Sequence, residues 1–314
     1  CVLNAEKGTW KNKNYNFTVW YNKTSHPGDA VFARIIFTPK TKEAKAAAGK
    51  SGGQMVLVKK NAAENAKPAG KADFYMISAD TKTDTILAGI PLSSYLSEGD
   101  YELKFTYSAF GMSPETFSLP VVIEHKDFVS ETIPLDAQNT SIKTNTSSER
   151  MDQIKRLNEI LGRSDPQSVY ETNAFVPPNP ATRRTSFFAD RRVYAYNNGK
   201  SSTSLHYGID YGIPTGSEVR ACGKGKVVMA ENRISTGWSV CIEHLPGLYS
   251  LYYHMSSLNV KTGQTVNQGD LVGLSGATGL ATGPHLHWEI RLNMEAVSPD
   301  FFTGDFTFEK ESSR

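Results

Sequence analysis

Residues 284–290 read Pro284-His285-Leu286-His287-Trp288-Glu289-Ile290. On an extended strand side chains at i and i+2 share a face, so the imidazoles of His285 and His287 project together and Glu289 follows them. A second pair stands upstream in His206-Tyr207-Gly208-Ile209-Asp210, where Gly208, Gly212 and Pro214 argue against a helix. A strand leading into a turn puts His206 and Asp210 on one side, unlike the helical H-E-x-x-H arrangement. Each pair alone is a short motif that also arises by chance, but together they are far more specific. Imidazole nitrogens with one carboxylate suit Zn2+, and three such ligands with one open position make a catalytic site.

Outward from these motifs, residues 187–308 read as β-rich. Strands are expected over 226–231, 238–243 and 248–253, separated by glycines 223, 225, 237 and 247. Residues 260–273 alternate tight turns with short strands, as in β-hammerheads, yet offer no exposed Met-Lys-Met type turn for a biotinyl or lipoyl carrier. Residues 15–124 show short β-branched and aromatic runs at 30–37, 74–77 and 101–107, a sandwich pattern. In that stretch Tyr101, Leu103 and Phe105 alternate onto one buried face. Residues 39–70, rich in Lys, Ala and Gly, read as a long hairpin or exposed insertion whose lysines form a solvated face. Ile154, Leu157, Ile160 and Leu161 fall at helical spacing between Ser147 and Gly162, giving one amphipathic helix acting as a spacer. Pro166, Pro177, Pro178 and Pro180 then make an extended connector between two domains.

The expected fold is therefore mainly β: a tail over 1–14, an N-terminal Ig-like β-sandwich over 15–135, a helical and proline-rich linker over 136–186, a C-terminal antiparallel β-sheet domain over 187–309 and a tail over 310–314. The chain has 314 residues with 34 Lys plus Arg against 32 Asp plus Glu, a net charge of +2. So small a charge gives no field to attract nucleic acid, which is not an expected partner. No apolar run reaches the roughly 18 residues of a membrane-spanning helix. Cys1 as first residue is expected to be the acylated residue of a processed lipoprotein, tethering the protein by its lipid in the bacterial envelope, periplasm or outer surface. Cys222 and Cys241 read either as a disulfide or as two separately buried thiols.

The C-terminal motifs resemble the LytM/lysostaphin-type zinc endopeptidases of the M23 class, which cut peptide bonds in bacterial peptidoglycan. The resemblance rests on the H-x-G-x-D box from His206 to Asp210, the Y-x-H-x-S box Tyr252-Tyr253-His254-Met255-Ser256, and the G-x-T-G-x-x-T-G-P-H-L-H-x-E-I box of 276–290. It covers about 120 residues, 191–305. Residues 126–135 and the following helix look, more loosely, like the end of the sandwich that precedes M23 domains in some envelope proteins. The resemblance implies that His206, Asp210 and His287 ligate Zn2+, with His254 and His285 as catalytic histidines sharing acid/base and oxyanion work. It implies peptidoglycan peptides as substrate, acted on by a protein expected to be a monomer. The alternative is a non-catalytic or latent module that binds cell wall or regulates other wall hydrolases. Such regulators typically lose zinc-site residues, and none is lost here.

Glu289 is expected either to orient a ligand or to form a structural salt bridge. His244 reads as a structural turn residue, and His26 and His125 as surface residues. Tyr196-Asn197-Asn198-Gly199-Lys200 is read as a groove-lining loop or a plain hairpin turn. Trp238, Tyr252, Tyr253 and Trp288 are expected to wall a cleft or to be core.

Overall fold

Alternation of apolar and polar residues is the rule in the first third of the chain, and it builds two facing sheets. The computed structural model describes residues 5–304 except 64 and 81, with only the backbone of 5 and 6; Cys1 and its proposed lipid lie outside the described residues. The chain divides between Lys126 and Asp127 into two units. The first contains β1 (Ala5–Lys11), β2 (Tyr15–Asn22), β3 (Thr24–Ser25), β4 (Ala30–Pro39), α1 (Lys42–Ala46), β5 (Gly52–Lys59), β6 (Gly70–Asp73), β7 (Tyr75–Ala79), β8 (Asp84–Pro91), β9 (Gly99–Ser108) and β10 (Glu115–Ile123). One sheet runs β1-β2-β4-β8-β7 and the other β3-β10-β9-β5-β6. Val19, Ile35 and Phe37 from the first meet Met55, Leu57, Leu103 and Phe105 from the second in one buried cluster. Tyr101, Leu103 and Phe105 share the buried face, as their alternation requires.

Two features of this unit depart from the sequence reading. Residues 5–11, expected within a tail, pair along their length with β2, and Trp10 stacks on Phe17 at 5.1 Å. A single aromatic anchor among Ala, Glu, Lys, Gly and Thr is too little pattern to announce a strand. The hairpin expected within 39–70 exists as β5 and β6, but β5 is no exposed insertion. It lies between β9 and β6, with Met55 and Leu57 fully buried.

The second unit contains β11 (Ser130–Pro134), α2 (Ala137–Thr144), α3 (Ser148–Leu161), β12 (Arg184–Ser186), β13 (Arg191–Ala195), β14 (Ser201–Leu205), β15 (Gly208–Tyr211), β16 (Glu218–Arg220), β17 (Gly225–Arg233), β18 (Gly237–Leu245), β19 (Leu248–Met255), β20 (Ser257–Leu258), β21 (Thr265–Val266), β22 (Leu271–Leu274), β23 (Leu286–Leu292), β24 (Glu295–Val297) and α4 (Pro299–Thr303). Its main sheet runs β12-β15-β23-β19-β18-β17-β21, with β24 added on β23. Small sheets β11-β13-β14 and β16-β22-β20 complete the unit. Every residue of β19 is buried, which marks a sheet covered on both faces. Among the described residues no helix is long and apolar enough to cross a membrane.

The segment expected to link two domains belongs to this second unit. β11 pairs in parallel with β13, Ser130 opposite Arg191 through Pro134 opposite Ala195, so it is not a sandwich strand. The helix runs as its periodicity requires, with Ser147 capping its start and Gly162 its end. It is not a spacer: Leu157, Ile160 and Leu161 pack on Met229, Tyr249, Leu251 and Tyr253. An amphipathic stripe needs an apolar partner, and alternate residues of β19 supply it. The proline-rich stretch after it is a strap rather than a free connector. Tyr170 N–H donates to His244 O (2.9 Å), Val176 N–H to Cys222 O (2.9 Å), and Phe175 stacks on Phe302 at 5.5 Å. Prolines end regular pairing, but the remaining amides still find partners on the sheet. Cys222 and Cys241 are both free and buried.

If the helix is part of this core, Leu161→Ala removes a side chain that is only 3% exposed. Urea unfolding followed by tryptophan fluorescence should then show about 2–4 kcal/mol lost. A change under about 0.5 kcal/mol, the range of surface substitutions, would leave the helix undocked.

Candidate metal centre and active-site groove

Antiparallel pairing of β15 with β23 places Asp210 directly opposite His287. The chain enters β15 through His206, whose N–H donates to Asp190 O (3.0 Å) and whose C=O accepts from Ala189 N–H (2.7 Å). Gly208 between them is sterically required. A Cβ there would lie 2.2 Å from the Trp288 carbonyl oxygen and 2.9 Å from His287 Nε2.

Three donor atoms consequently converge. His206 Nε2 lies 3.0 Å from Asp210 Oδ1 and 2.9 Å from His287 Nδ1, and His287 Nδ1 lies 2.9 Å from Asp210 Oδ1. All three residues are buried. Two imidazole nitrogens and a carboxylate oxygen this close need a proton or a cation between them. The outer atoms are already committed. His206 Nδ1 donates to Phe187 O (2.7 Å), His287 Nε2 donates to Glu289 Oε2 (3.2 Å), and Asp210 Oδ2 accepts from Arg192 Nη2 (2.9 Å). Each inner atom is thereby left as a donor to a cation. The spacing is slightly tighter than the roughly 3.3 Å of tetrahedral donors about 2.0–2.1 Å from one ion. Two imidazoles and one carboxylate fit zinc and can hold a metal ion.

Without a cation the charge must reside on protons. Burial alone disfavours the charged form of His287, but Asp210 and Glu289 on its two nitrogens outweigh it and push its pKa up to about 9. Burial also raises the Asp210 carboxyl, yet His206 and His287 hold it well below the usual range. Burial lowers His206. Glu289 stays ionised because Arg291 and His287 overcome its burial.

His254 and His285 stand beside this trio, their ring centroids 4.6 Å apart. His254 Nδ1 donates to Thr278 O (2.8 Å) and His285 Nδ1 to Gly283 O (2.9 Å), so each leaves Nε2 with its lone pair. Burial, then the nearby His285 and His287, push His254 down to about 3. It is therefore neutral at neutral pH. His285 Nε2 lies 3.8 Å from Asp210 Oδ1. A groove of about 320 Å3 collects all five residues, with Glu289, Tyr253, Tyr194, Arg192, Leu135 and Lys143 among its walls.

Neighbouring strand residues normally face opposite ways, yet Tyr253 and His254 both line the groove. A register shift in the β18–β19 pairing and φ of +62° at His254 turn the second side chain round. Tyr253 stacks on His287, 5.3 Å between centroids and 9° between planes.

Glu289 accepts from His287 Nε2 and also from Arg291 Nε, so the salt bridge is present and the same carboxylate touches the His287 ring. His244 is buried, with Nδ1 donating to Lys224 O (2.8 Å) and Nε2 accepting from Ser250 Oγ (2.7 Å), a structural residue. His26 and His125 pair with acidic residues near the surface of the first unit. None of residues 196–200 lines the groove; Tyr196 N–H donates to Lys200 O (2.8 Å) and closes a plain hairpin. Trp288 and Tyr252 are wholly buried core, and of the four aromatic candidates only Tyr253 reaches the groove. Arg192, with Glu131 Oε1 accepting from its Nε (2.8 Å), escaped the sequence reading. No motif spacing links these two residues to Asp210; the parallel β11–β13 pairing does.

Residues 204–299 match the model of peptidase family M23. DD-carboxypeptidase/endopeptidase Mpg of Neisseria meningitidis serogroup B is 41% identical over 95 residues, 30% of this chain and 22% of that protein. Peptidoglycan DD-endopeptidase ShyA of Vibrio cholerae serotype O1 is 39% identical over 114 residues, 36% of this chain and 26% of that protein. The chain thus aligns with about a quarter of the length of these curated relatives. The crystal structure of a candidate M23 peptidase from Pseudomonas aeruginosa superimposes with TM-score 0.56 at 20% identity, covering 90% of this chain and 96% of that one, and shares its fold. With His206, Asp210 and His287 gathered where β15 pairs with β23, and its sequence matched across both strands, the stretch 204–299 is a peptidase family M23 domain.

Proposed function

We propose that this protein is a zinc-dependent endopeptidase that hydrolyses peptide bonds of bacterial peptidoglycan, working in the cell envelope where that polymer lies. The observation that carries the reading is the convergence of His206 Nε2, Asp210 Oδ1 and His287 Nδ1 in a groove that also holds two further histidines. The names of the relatives support the substrate class. His206, Asp210 and His287 would hold the zinc. That ion, when bound, supplies Lewis acidity that polarises the scissile carbonyl and lowers the pKa of a water toward about 7.

The remaining work falls to protein groups. His254, neutral and with Nε2 free, accepts a proton from the attacking water. His285, fixed through Nδ1, offers Nε2 to the same proton traffic, and in protonated form either ring donates to the developing oxyanion. Tyr253 keeps the His287 ring in plane, and Glu289 keeps its tautomer.

Three measurements test this reading. His287→Ala should abolish stoichiometric zinc, whereas Glu289→Gln should weaken zinc binding about 10–100-fold in competition with a chromophoric chelator; unchanged affinity in both would move the metal elsewhere. Zinc affinity should rise with pH up to about 9 and then level off, because below that value a proton on His287 must leave before the metal enters. The slope below the break is about tenfold per pH unit for one displaced proton. Finally, His254→Ala should keep its zinc and lose about 10²–10⁴-fold in release of soluble peptide from purified peptidoglycan. Undiminished hydrolysis by that variant would remove His254 from the chemistry. Zinc-loaded wild type that releases nothing would favour a binding or regulatory module.

A further inference from the structure

One wall of the groove comes from outside the M23 match, from β11 and α2. Asp136 caps α2 by accepting from Asn139 N–H (2.7 Å). The helix is held in place by Leu135 N–H donating to Ala195 O (2.8 Å), Asn197 N–H donating to Thr140 Oγ1 (3.3 Å) and Asn139 Nδ2 reaching Ala281 O (3.4 Å). Its Lys143 is half-buried and lines the groove, with Nζ 4.1 Å from the centroid of the Tyr194 ring. Every carboxylate of the groove is already engaged: Asp210 by His206, His287 and Arg192, and Glu289 by His287 and Arg291. Among the described residues none lies within ion-pair distance of Lys143. Arg150 sits nearby without a carboxylate as well. Its Nε donates to Ser235 Oγ (2.9 Å), a groove residue, and its Nη1 to Asn145 O (2.7 Å). Burial, then the positive charges of Arg150 and Arg192, lower the Lys143 pKa. Gathering like charges in a partly dry site without a counter-ion is unfavourable, and an incoming anion relieves it.

We propose that Lys143, backed by Arg150, forms a subsite for a carboxylate of the substrate peptide. The inference rests on the peptidase reading above and adds a specificity element to it. A wall peptide offers such a group either at its C-terminus or on a side chain, and both would be recognised by the same charge-assisted hydrogen bonds. The positions of α2 and Tyr194 make Lys143 a substrate contact and not part of the metal site.

The test uses the zinc-loaded full chain and a synthetic cross-linked stem-peptide dimer in three forms: carboxylates free, C-terminal carboxyls amidated, or side-chain carboxyls amidated. In the wild type one amidated form should lose about tenfold in kcat/KM, mostly through KM, and which form loses identifies the source. In Lys143→Met that penalty should vanish, and in Lys143→Arg it should return, with zinc content and thermal transition retained in both. An equal penalty in wild type and Lys143→Met, or no penalty in either, overturns the subsite. Should the wild type cleave none of the peptides, the peptidase reading fails, and fluorescence anisotropy with the same labelled peptides still decides. Tighter binding of the free form that Lys143→Met abolishes would uphold the subsite, and indifference to amidation would overturn it.

Discussion

Two imidazole lone pairs and a carboxylate oxygen held within 3.0 Å of one another in a buried place form the constraint around which the second unit is organised. They need a proton or a cation between them, so the structure must both hold them together and keep their outer atoms occupied. Phe187 O, Glu289 and Arg192 do the second task, and each comes from a different part of the chain. Glu289 is on the ligand's own strand, Phe187 precedes the short hairpin β13–β14, and Arg192 lies within it. Arg192 is itself fixed by Glu131 on β11. A site of three side chains thus depends on residues from 131 to 289.

The loop 276–283 meets a second constraint. His254 must face the groove next to Tyr253, which takes a left-handed backbone conformation that costs a non-glycine residue about 1–2 kcal/mol. Thr278 offsets this by accepting from His254 Nδ1 through its carbonyl, while its hydroxyl donates to Met255 O (2.6 Å) and accepts from Trp238 N–H (3.1 Å). So close an approach leaves no space for side chains at the contact. A Cβ on Gly279 would lie 2.4 Å from Gly237 N, and one on Gly237 1.9 Å from Thr278 Oγ1. The glycines and threonine of the G-x-T-G box are therefore there to seat a histidine that lies more than twenty residues earlier in the chain.

What the sequence made legible follows the same physics. His206, Asp210, His287, His254 and His285 could be singled out because strand periodicity and box spacing are local, and the structure brings all five into one groove. Strands β17 to β19 and the capped helix α3 were legible for the same reason. Sheet pairing between distant segments was not. The parallel contact of β11 with β13 moved 130–134 out of the sandwich, and with it came Glu131, Ile133 and Leu135. Helical periodicity identified the apolar stripe of α3 but could not name β19 as its partner. Loop composition was equally mute, since 196–200 closes a hairpin while Tyr194, two residues before it, lines the groove.

These limits bear on how far similarity can be carried. The M23 match spans 204–299, which contains His206, Asp210, His254, His285 and His287. It omits Phe187, Arg192 and Glu131, which hold His206 and Asp210 from behind, and Leu135, Lys143 and Tyr194 on the groove wall. The curated relatives named above align over 30% and 36% of this chain. They need not share the wall, which is built by β11, α2 and the first hairpin of the unit. On the reading proposed above, charge on that wall would select among peptides. On that reading, bond preference would depend on the segment before the matched domain as much as on the matched domain itself.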